Sequence, residues 1–228
     1  MGTHTQCPSP LENRRSLTSE PRPFRWAAGD RVQQRARSEV VPQVRGAGWR
    51  RRHPGRHLPI SNAFAASTFG DGDVGILNYA LTLEYLEAEF YQKGVAANIL
   101  GDDAKYINPI AAHEAAHVAA ITATLQKLGA TPATKPTFTF PANTFTDKAT
   151  FLKTAVTFEE TGVKAYHGQV PLIKDGAILG AAASIAGVES RHAAVLNYLT
   201  QMPPVPNAVE QHASMDEIVA AIKPFLGA

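Results

Sequence analysis

Cysteine is almost absent from this 228-residue chain. The single cysteine, Cys7, lies near the start, and residues 67–228 contain none. That part of the chain therefore cannot form an internal disulfide, a cysteine-ligated iron–sulfur cluster or a rubredoxin-type iron site. The lack of cysteine is compatible with either a reducing or an oxidising compartment.

Long hydrophobic runs are also missing. No stretch of residues 67–228 approaches the ~18–20 consecutive apolar residues that a helix needs to cross a bilayer. We therefore expect no membrane span.

Lysine is absent before Lys93, and all arginines but one lie at or before Arg56. Residues 1–66 carry 12 basic and 4 acidic side chains, a net charge of +8, whereas the remainder carries 10 and 16, a net charge of −6. The first segment has little periodic hydrophobicity, so it cannot bury enough apolar surface to offset the entropy lost on ordering. We predict that residues 1–66 form a disordered basic tail and that residues 67–228 form the folded domain.

The basic segment allows two further interpretations. The run at residues 49–53 has the charge of a nucleic-acid or membrane-surface binder, but no amphipathic pattern accompanies it, so we expect no nucleic-acid partner. Residues 58–66 resemble the end of an export signal, because Ala63 and Ala65 form a small-residue cleavage site. The apolar stretch that should precede this site is missing, so residues 1–57 would be an aberrant or frame-shifted signal. This interpretation predicts a periplasmic or secreted protein, and without it the protein would be cytoplasmic.

Residues 74–200 have the apolar spacing of helices nearly throughout, and the pattern occurs twice. Two stripes with a 4,3,4,3,4 spacing lie 75 residues apart: Leu77, Leu81, Glu84, Ala88, Tyr91 and Val95, then Leu152, Val156, Glu159, Val163, Tyr166 and Val170. A second pair of stripes comprises Ile107, Ile110, Glu114, His117, Ile121 and Leu128, then Ile178, Ala182, Ile185, Glu189, His192, Leu196 and Leu199. The sequence therefore predicts a duplicated helical hairpin.

The connections between these helices complete the predicted fold. Turn signals at residues 100–103 and 175–176 lie near the midpoint of each hairpin. The segment 130–146 is rich in proline and threonine, and its seventeen residues can extend up to ~55 Å, enough to run the length of a helix. A capping box at Ser214 and Glu217 predicts a short last helix. We predict an all-α four-helix bundle, with two hairpins joined by a long crossover and a short C-terminal helix.

Ionisable side chains occupy stripe positions that should be apolar. If each hairpin folds about its midpoint, they all meet at mid-height of the bundle. Buried carboxylates without compensation would cost several kcal/mol each, and two divalent cations would neutralise four of them. Oxygen and nitrogen ligands without sulfur suit iron or manganese. The predicted metal ligands are Glu84, Glu114, His117, Glu159, Glu189 and His192.

Other polar residues lie near this predicted site. Tyr91 and Tyr166 each lie seven residues after the glutamate of their stripe, so we expect their phenols to bond the ligating carboxylates; the alternative is an ordinary core tyrosine. His113 lies at the edge of its stripe, either supporting the ligands or as a merely polar residue. Glu87 and Glu89 fall off the stripes and are expected to be solvated.

The segment from His113 to His117 reads HEAAH, which is also the zinc metalloprotease signature. The second copy of the repeat has Val188 where the first has His113, although it keeps Glu189 and His192. Since the first histidine of the motif is absent from its own duplicate, we treat it as a chance extension and keep the zinc protease only as a remote alternative.

The doubled arrangement of Glu, E-x-x-H and tyrosine resembles the ferritin-like di-iron carboxylate superfamily. Residues 76–91, ILNYALTLEYLEAEFY, are similar to the ferritin-like, desiccation-related bacterial proteins, many of which carry a twin-arginine export signal. The resemblance covers about residues 70–200. It implies a four-helix bundle with a left-handed crossover, holding two iron ions or alternatively two manganese ions. Dioxygen or peroxide would be the small-molecule substrate.

The resemblance leaves several functions open. Iron oxidation or handling, in a ferroxidase-like oxidoreductase that protects against stress, is the first interpretation. Manganese-catalase-like peroxide disproportionation is a second, and a desiccation-protective structural bundle without turnover is a third. Storage would require a homo-oligomeric cage, whose interfaces cannot be identified from this pattern.

Overall fold

The computed structural model describes residues 68–227, which are helical apart from loops and one β-bridge between Phe138 and Leu226. The predicted disordered tail and the export-signal remnant lie outside the described residues. Five α-helices follow in order: α1 (Gly72–Ala96), α2 (Ala104–Lys127), α3 (Lys148–Gln169), α4 (Gly176–Leu199) and α5 (Met215–Ile222). Short 3₁₀ helices lie at Gly101–Asp103, Val170–Leu172 and Lys223–Phe225. The prediction of an all-α bundle is confirmed.

Two hairpins make up the bundle, since α1 packs against α2 and α3 against α4. Both helices of the second hairpin have an aspartate cap: the Asp147 carboxylate accepts from the Thr150 amide at 2.7 Å, and Asp175, at the predicted turn, caps α4 in the same way. At α5, the Ser214 hydroxyl accepts from the Glu217 amide at 3.3 Å and the Glu217 carboxylate accepts from the Ser214 amide at 2.8 Å. This reciprocal pair is the predicted capping box.

The long crossover between α2 and α3 pairs with the C-terminal segment. The Thr139 amide donates to the Phe225 carbonyl and the Gly227 amide to the Thr137 carbonyl, each at 2.8 Å. Near its start, the Ala133 amide donates to Oδ1 of Asn78 on α1, also at 2.8 Å. The crossover and α5 therefore cover one side of the bundle.

As a result of this cover, α1 is buried on two faces. One face carries the predicted stripe, including Leu77 and Leu81, and the other packs Phe90 face to face on Phe151 with ring centroids 4.6 Å apart. The outer face belongs to a cluster of Tyr79, Leu83, Leu86, Phe90, Phe138, Phe151, Phe158, Ile218 and Ile222. The expectation that Glu87 is solvated is wrong, because only 3% of its surface is exposed. Two predicted stripe ends, Val95 and Leu128, are instead exposed.

The close approach of α1 and α3 gives a prediction about packing. A Cβ at Gly94 would lie 2.1 Å from Cε2 of the fully buried Phe151. Gly94→Ala is therefore expected to destabilise the protein by about 1–3 kcal/mol through overpacking. Gly180→Ala, also inside a helix but with no atom within 4 Å of its Cβ, should stabilise by about 0.5–1 kcal/mol. Denaturant unfolding compares the two, and equal stability of Gly94→Ala and wild type would contradict the packing.

Candidate metal centre

The six stripe residues predicted to bind metal come together at mid-bundle. The four glutamates are completely buried, while the two histidines are 8% and 4% exposed. One residue comes from each of α1 and α3, and an E-x-x-H pair comes from each of α2 and α4. The cluster consists of Glu84, Glu114, His117, Glu159, Glu189 and His192.

His117 lies against three carboxylates. Its Nδ1 is 3.2 Å from Oε2 of Glu84, 3.3 Å from Oε2 of Glu114 and 3.1 Å from Oε1 of Glu189. The Glu84 set, defined as Glu84, Glu114, His117 and Glu189, offers ligand atoms that all lie within 4.8 Å of one another. That spacing could hold one metal ion.

His192 repeats the arrangement in the second half. Its Nδ1 is 3.0 Å from Oε1 of Glu114, 3.3 Å from Oε2 of Glu159 and 3.9 Å from Oε2 of Glu189. The Glu159 set, defined as Glu114, Glu159, Glu189 and His192, meets the same 4.8 Å limit. The two sets share Glu114 and Glu189, which turn one oxygen toward each histidine.

Several of these buried polar atoms lack a hydrogen-bond partner. Among the described residues, they include Oε1 of Glu114, Oε2 of Glu159, both oxygens of Glu189 and Nδ1 of His192. The distances to Nδ1 of His192 are short, but the groups are not aligned as hydrogen bonds. Buried polar atoms are almost always satisfied, so unpaired atoms that face one another are suited to binding a cation.

Burial and mutual repulsion control the protonation of the carboxylates. Burial, followed by the charges of Glu114 and Glu159, raises the pKa of Glu189 well above its usual range. Burial is also the largest influence on Glu114 and raises its pKa to about 7, although the two nearby histidines, His117 and His192, oppose it. For Glu84, burial is outweighed by the hydrogen bond and charge of His117, and the pKa is lowered.

The histidines respond in the opposite sense to burial. Burial acts to lower the pKa of His192, but Glu114 and Glu159 outweigh it and raise the pKa to about 9. The same competition, with Glu114, Glu189 and Glu84, raises the pKa of His117. The raised pKa values of Glu114, Glu189 and both histidines favour their protonated forms in the folded protein.

Two tyrosine side chains contact the cluster, and each bonds a glutamate of the opposite hairpin. The Tyr91 hydroxyl, from α1, donates to Oε1 of Glu159 on α3 at 2.6 Å. In return, the Tyr166 hydroxyl, from α3, donates to Oε1 of Glu84 on α1. Each phenol thus orients the carboxylate of the opposite hairpin, leaving the second oxygen of that carboxylate toward a histidine.

His113 lies at the exposed edge of the cluster. Its Nδ1 is 2.9 Å from Nε2 of His192, and the two rings stack with centroids 5.2 Å apart. His113 belongs to neither metal set. The zinc protease interpretation requires His113 and His117 on one ion, and the observed contact instead places His113 on the outer nitrogen of His192.

Glu87 is the neighbouring residue that sequence reasoning missed. Burial, followed by the charges of Glu189, Glu159, Glu114 and Glu84, raises its pKa well above the usual range. A Cβ at Gly162 would lie 3.1 Å from Oε1 of Glu87 and 3.3 Å from Oε2 of Glu189. The sequence held one signal: the 75-residue repeat places Gly162 where Glu87 should recur.

A four-helix bundle with a long crossover and a buried, duplicated carboxylate–histidine cluster defines the class of ferritin-like proteins with a candidate metal site. The chain belongs to the ferritin-like domain family, whose model matches residues 72–202. None of the curated proteins compared with the chain matches it. Within residues 68–227, no helix combines the length and apolarity that a membrane crossing requires.

Proposed function

We propose that the cluster binds two first-row transition-metal ions, iron or alternatively manganese, one in each set. The observation that supports this best is the pair of overlapping sets, since Glu114 and Glu189 each offer an oxygen to both. Glu84 and His117 would complete one site, and Glu159 and His192 the other. All ligand atoms are oxygen or nitrogen, which suits iron and manganese.

The chemistry of the donor atoms fits two cations. The unpaired atoms of Glu114, Glu159, Glu189 and His192 face the space between the helices. Four ionised carboxylates in a buried site need compensating positive charge, and two divalent ions supply +4. Both histidines turn Nδ1 toward the carboxylates, so neutral imidazoles would supply one nitrogen to each ion.

We infer that the protein oxidises or handles iron, or reacts with dioxygen or peroxide, in protection against stress. Two adjacent iron or manganese ions supply redox chemistry toward dioxygen and peroxide when bound. The chain contributes a site closed to bulk water and ligands held in fixed orientation. Tyr91 and Tyr166 hold the two unshared carboxylates, and His113 holds the ring of His192.

Turnover is tested by loading the metal-free protein anaerobically with Fe(II) and then adding dioxygen. We expect Fe(II) oxidation and oxygen consumption faster than in buffer, and faster than with Glu189→Gln at equal iron. A parallel sample loaded with Mn(II) and given peroxide would release dioxygen if the activity is catalase-like. A wild-type protein that binds both ions yet reacts no faster than buffer would favour the structural interpretation.

The contact of His113 predicts an effect on one metal site only. His113→Ala removes the partner of Nε2 of His192, so the Glu159 set is expected to bind its ion about 10–100-fold more weakly, as is usual when such support is lost. The Glu84 set should be unaffected. The control is His167→Ala, because the imidazole of His167 hydrogen-bonds the Val163 carbonyl of its own helix and lies outside both metal sets. Mn(II) titration of the metal-free variants measures this, and two unchanged affinities would contradict the role.

A further inference from the structure

Glu87 is a buried carboxyl group whose burial is unexplained by any partner. It is 3% exposed, and within residues 68–227 it has neither a hydrogen bond nor an ion pair, although its oxygens are not among the completely buried unpaired atoms. Its neighbour Glu89 shows the ordinary arrangement, because it forms ion pairs with Lys93 and Lys135 at 2.7 Å each. A buried, unpartnered carboxyl is unfavourable unless something else binds it.

One oxygen of Glu87 and one oxygen of Glu189 border the same gap at Gly162, although Glu87 belongs to neither metal set as the side chains stand. Oε1 of Glu87 and Oε2 of Glu189 lie 3.1 and 3.3 Å from the position of a Cβ on residue 162, so they are at most 6.4 Å apart. A side chain at position 162 would occupy the space between them. The glycine therefore allows the two carboxylates to approach.

The repeat shows that this arrangement is a local break in the symmetry of the site. The six predicted metal ligands and the two tyrosines recur after 75 positions: Glu84 and Glu159, Tyr91 and Tyr166, Glu114 and Glu189, His117 and His192. Position 87 alone has no acidic counterpart, because residue 162 is glycine. The first hairpin thus supplies the Glu87 carboxylate, and the absence of a side chain at Gly162 of the second hairpin leaves space for it.

The direction of Glu189 indicates which cation Glu87 would meet. Oε1 of Glu189 lies 3.1 Å from His117, whereas Oε2 faces His192. It is Oε2 that shares the gap at Gly162 with Glu87. Gly162 also lies one helical turn after Glu159 on the same helix.

We propose that Glu87 is a fifth carboxylate ligand of the metal centre and binds the divalent cation of the Glu159 set through the gap at Gly162. This inference rests on the proposed two-metal site. It makes the centre asymmetric, with one more protein ligand on the cation of the Glu159 set than on that of the Glu84 set. Oxygen-preferring cations such as Mn(II) and Fe(II) are the class that a further carboxylate suits.

Co(II) titration of the metal-free protein tests this role. Glu87→Gln keeps the shape of the side chain and removes its charge, and we expect one of the two Co(II) ions to bind about tenfold or more weakly. The visible spectrum of that Co(II) ion should also change, because its coordination changes. Glu89→Gln, the same substitution two residues along α1, should match wild type in both measurements.

A crystal structure of the wild-type protein loaded with Mn(II) distinguishes ligation from a mere charge effect. The proposal expects an oxygen of Glu87 at about 2.0–2.6 Å from one cation, the range of carboxylate ligands to divalent ions. Two bound cations with Glu87 out of reach would overturn the role of Glu87 as a ligand, as would a Glu87→Gln titration equal to wild type, and either result would leave the two-metal site intact. A wild-type protein that binds no Co(II) or Mn(II) would instead overturn the two-metal site itself.

Discussion

Glu189→Gln is expected to remove both metal ions rather than one. Glu189 belongs to both sets, and its two oxygens point to different histidines, with Oε1 3.1 Å from Nδ1 of His117 and Oε2 3.9 Å from Nδ1 of His192. An amide at this position carries no charge and offers only one good acceptor. We expect both metal affinities to fall by about 100-fold or more. Loss of a residue that only supports a ligand typically weakens metal binding by about 10–100-fold, and loss of a ligand should cost at least as much.

Two other glutamate-to-glutamine variants serve as controls for Glu189→Gln. Glu84→Gln removes a residue of one set only, so it should weaken one ion and leave the other near its wild-type affinity. Glu89→Gln alters an ion pair outside the cluster and should bind both ions normally. Metal content after dialysis against a weak chelator compares the variants. Retention of two ions by Glu189→Gln would contradict the shared role of this carboxylate.

The metal-free protein should lose stability as the pH is raised. Glu114 has a folded-state pKa raised to about 7 and His192 one raised to about 9, and the pKa of Glu189 is also raised. Folding therefore takes up protons, and each contribution is present below the unfolded pKa and is lost as the pH rises through the folded pKa. From about pH 5 to about pH 9, we expect Glu114 and His192 each to contribute a loss on the order of 3 kcal/mol.

Metal binding should reverse this dependence. Cations replace the protons on carboxylates and imidazoles, so the stability gained on loading grows with pH. Thermal unfolding of metal-free and metal-loaded protein at pH 5, 7 and 9 measures both trends, because these pH values span the range in which the groups with shifted pKa values titrate. Glu189→Gln, which removes one of the proton-binding groups, should show a shallower decline. A metal-free protein with the same melting temperature throughout this range would contradict the protonation of the cluster.

Most of the fold and of the candidate site could be predicted from the internal repeat in the sequence. Glutamate and histidine at positions that helical spacing reserves for apolar residues identified the cluster, because only a buried counter-charge makes such positions tolerable. The 75-residue offset fixed the pairing of hairpins, and the proline-rich crossover fixed how they are joined. The ferritin-like fold follows from these features together.

Features that depend on packing against segments distant in the sequence could not be predicted from the spacing of residues within one helix. Glu87 falls off the stripe of α1, and it is buried because its carboxyl lies against Gly162 of α3, beside Glu189 of α4. The stripe ends Val95 and Leu128 are exposed because each lies at or just beyond the end of its helix. The missing counterpart of Glu87 at Gly162 was visible in the sequence, but its meaning required the contact between helices.

The direction of the tyrosines was likewise settled by the packing of one hairpin on the other. The spacing placed Tyr91 and Tyr166 on the metal-facing stripes but did not specify which carboxylate each would reach. In the structure each tyrosine bonds the glutamate of the opposite hairpin. This exchange ties the two halves of the repeat together at the level of the cluster.

Elemental analysis of the protein purified from its own host tests the central claim most directly. The account predicts two ions per chain, iron or manganese, held by the cluster that Glu114 and Glu189 share between its halves. A chain that contains no transition metal, or a single zinc ion, would contradict it.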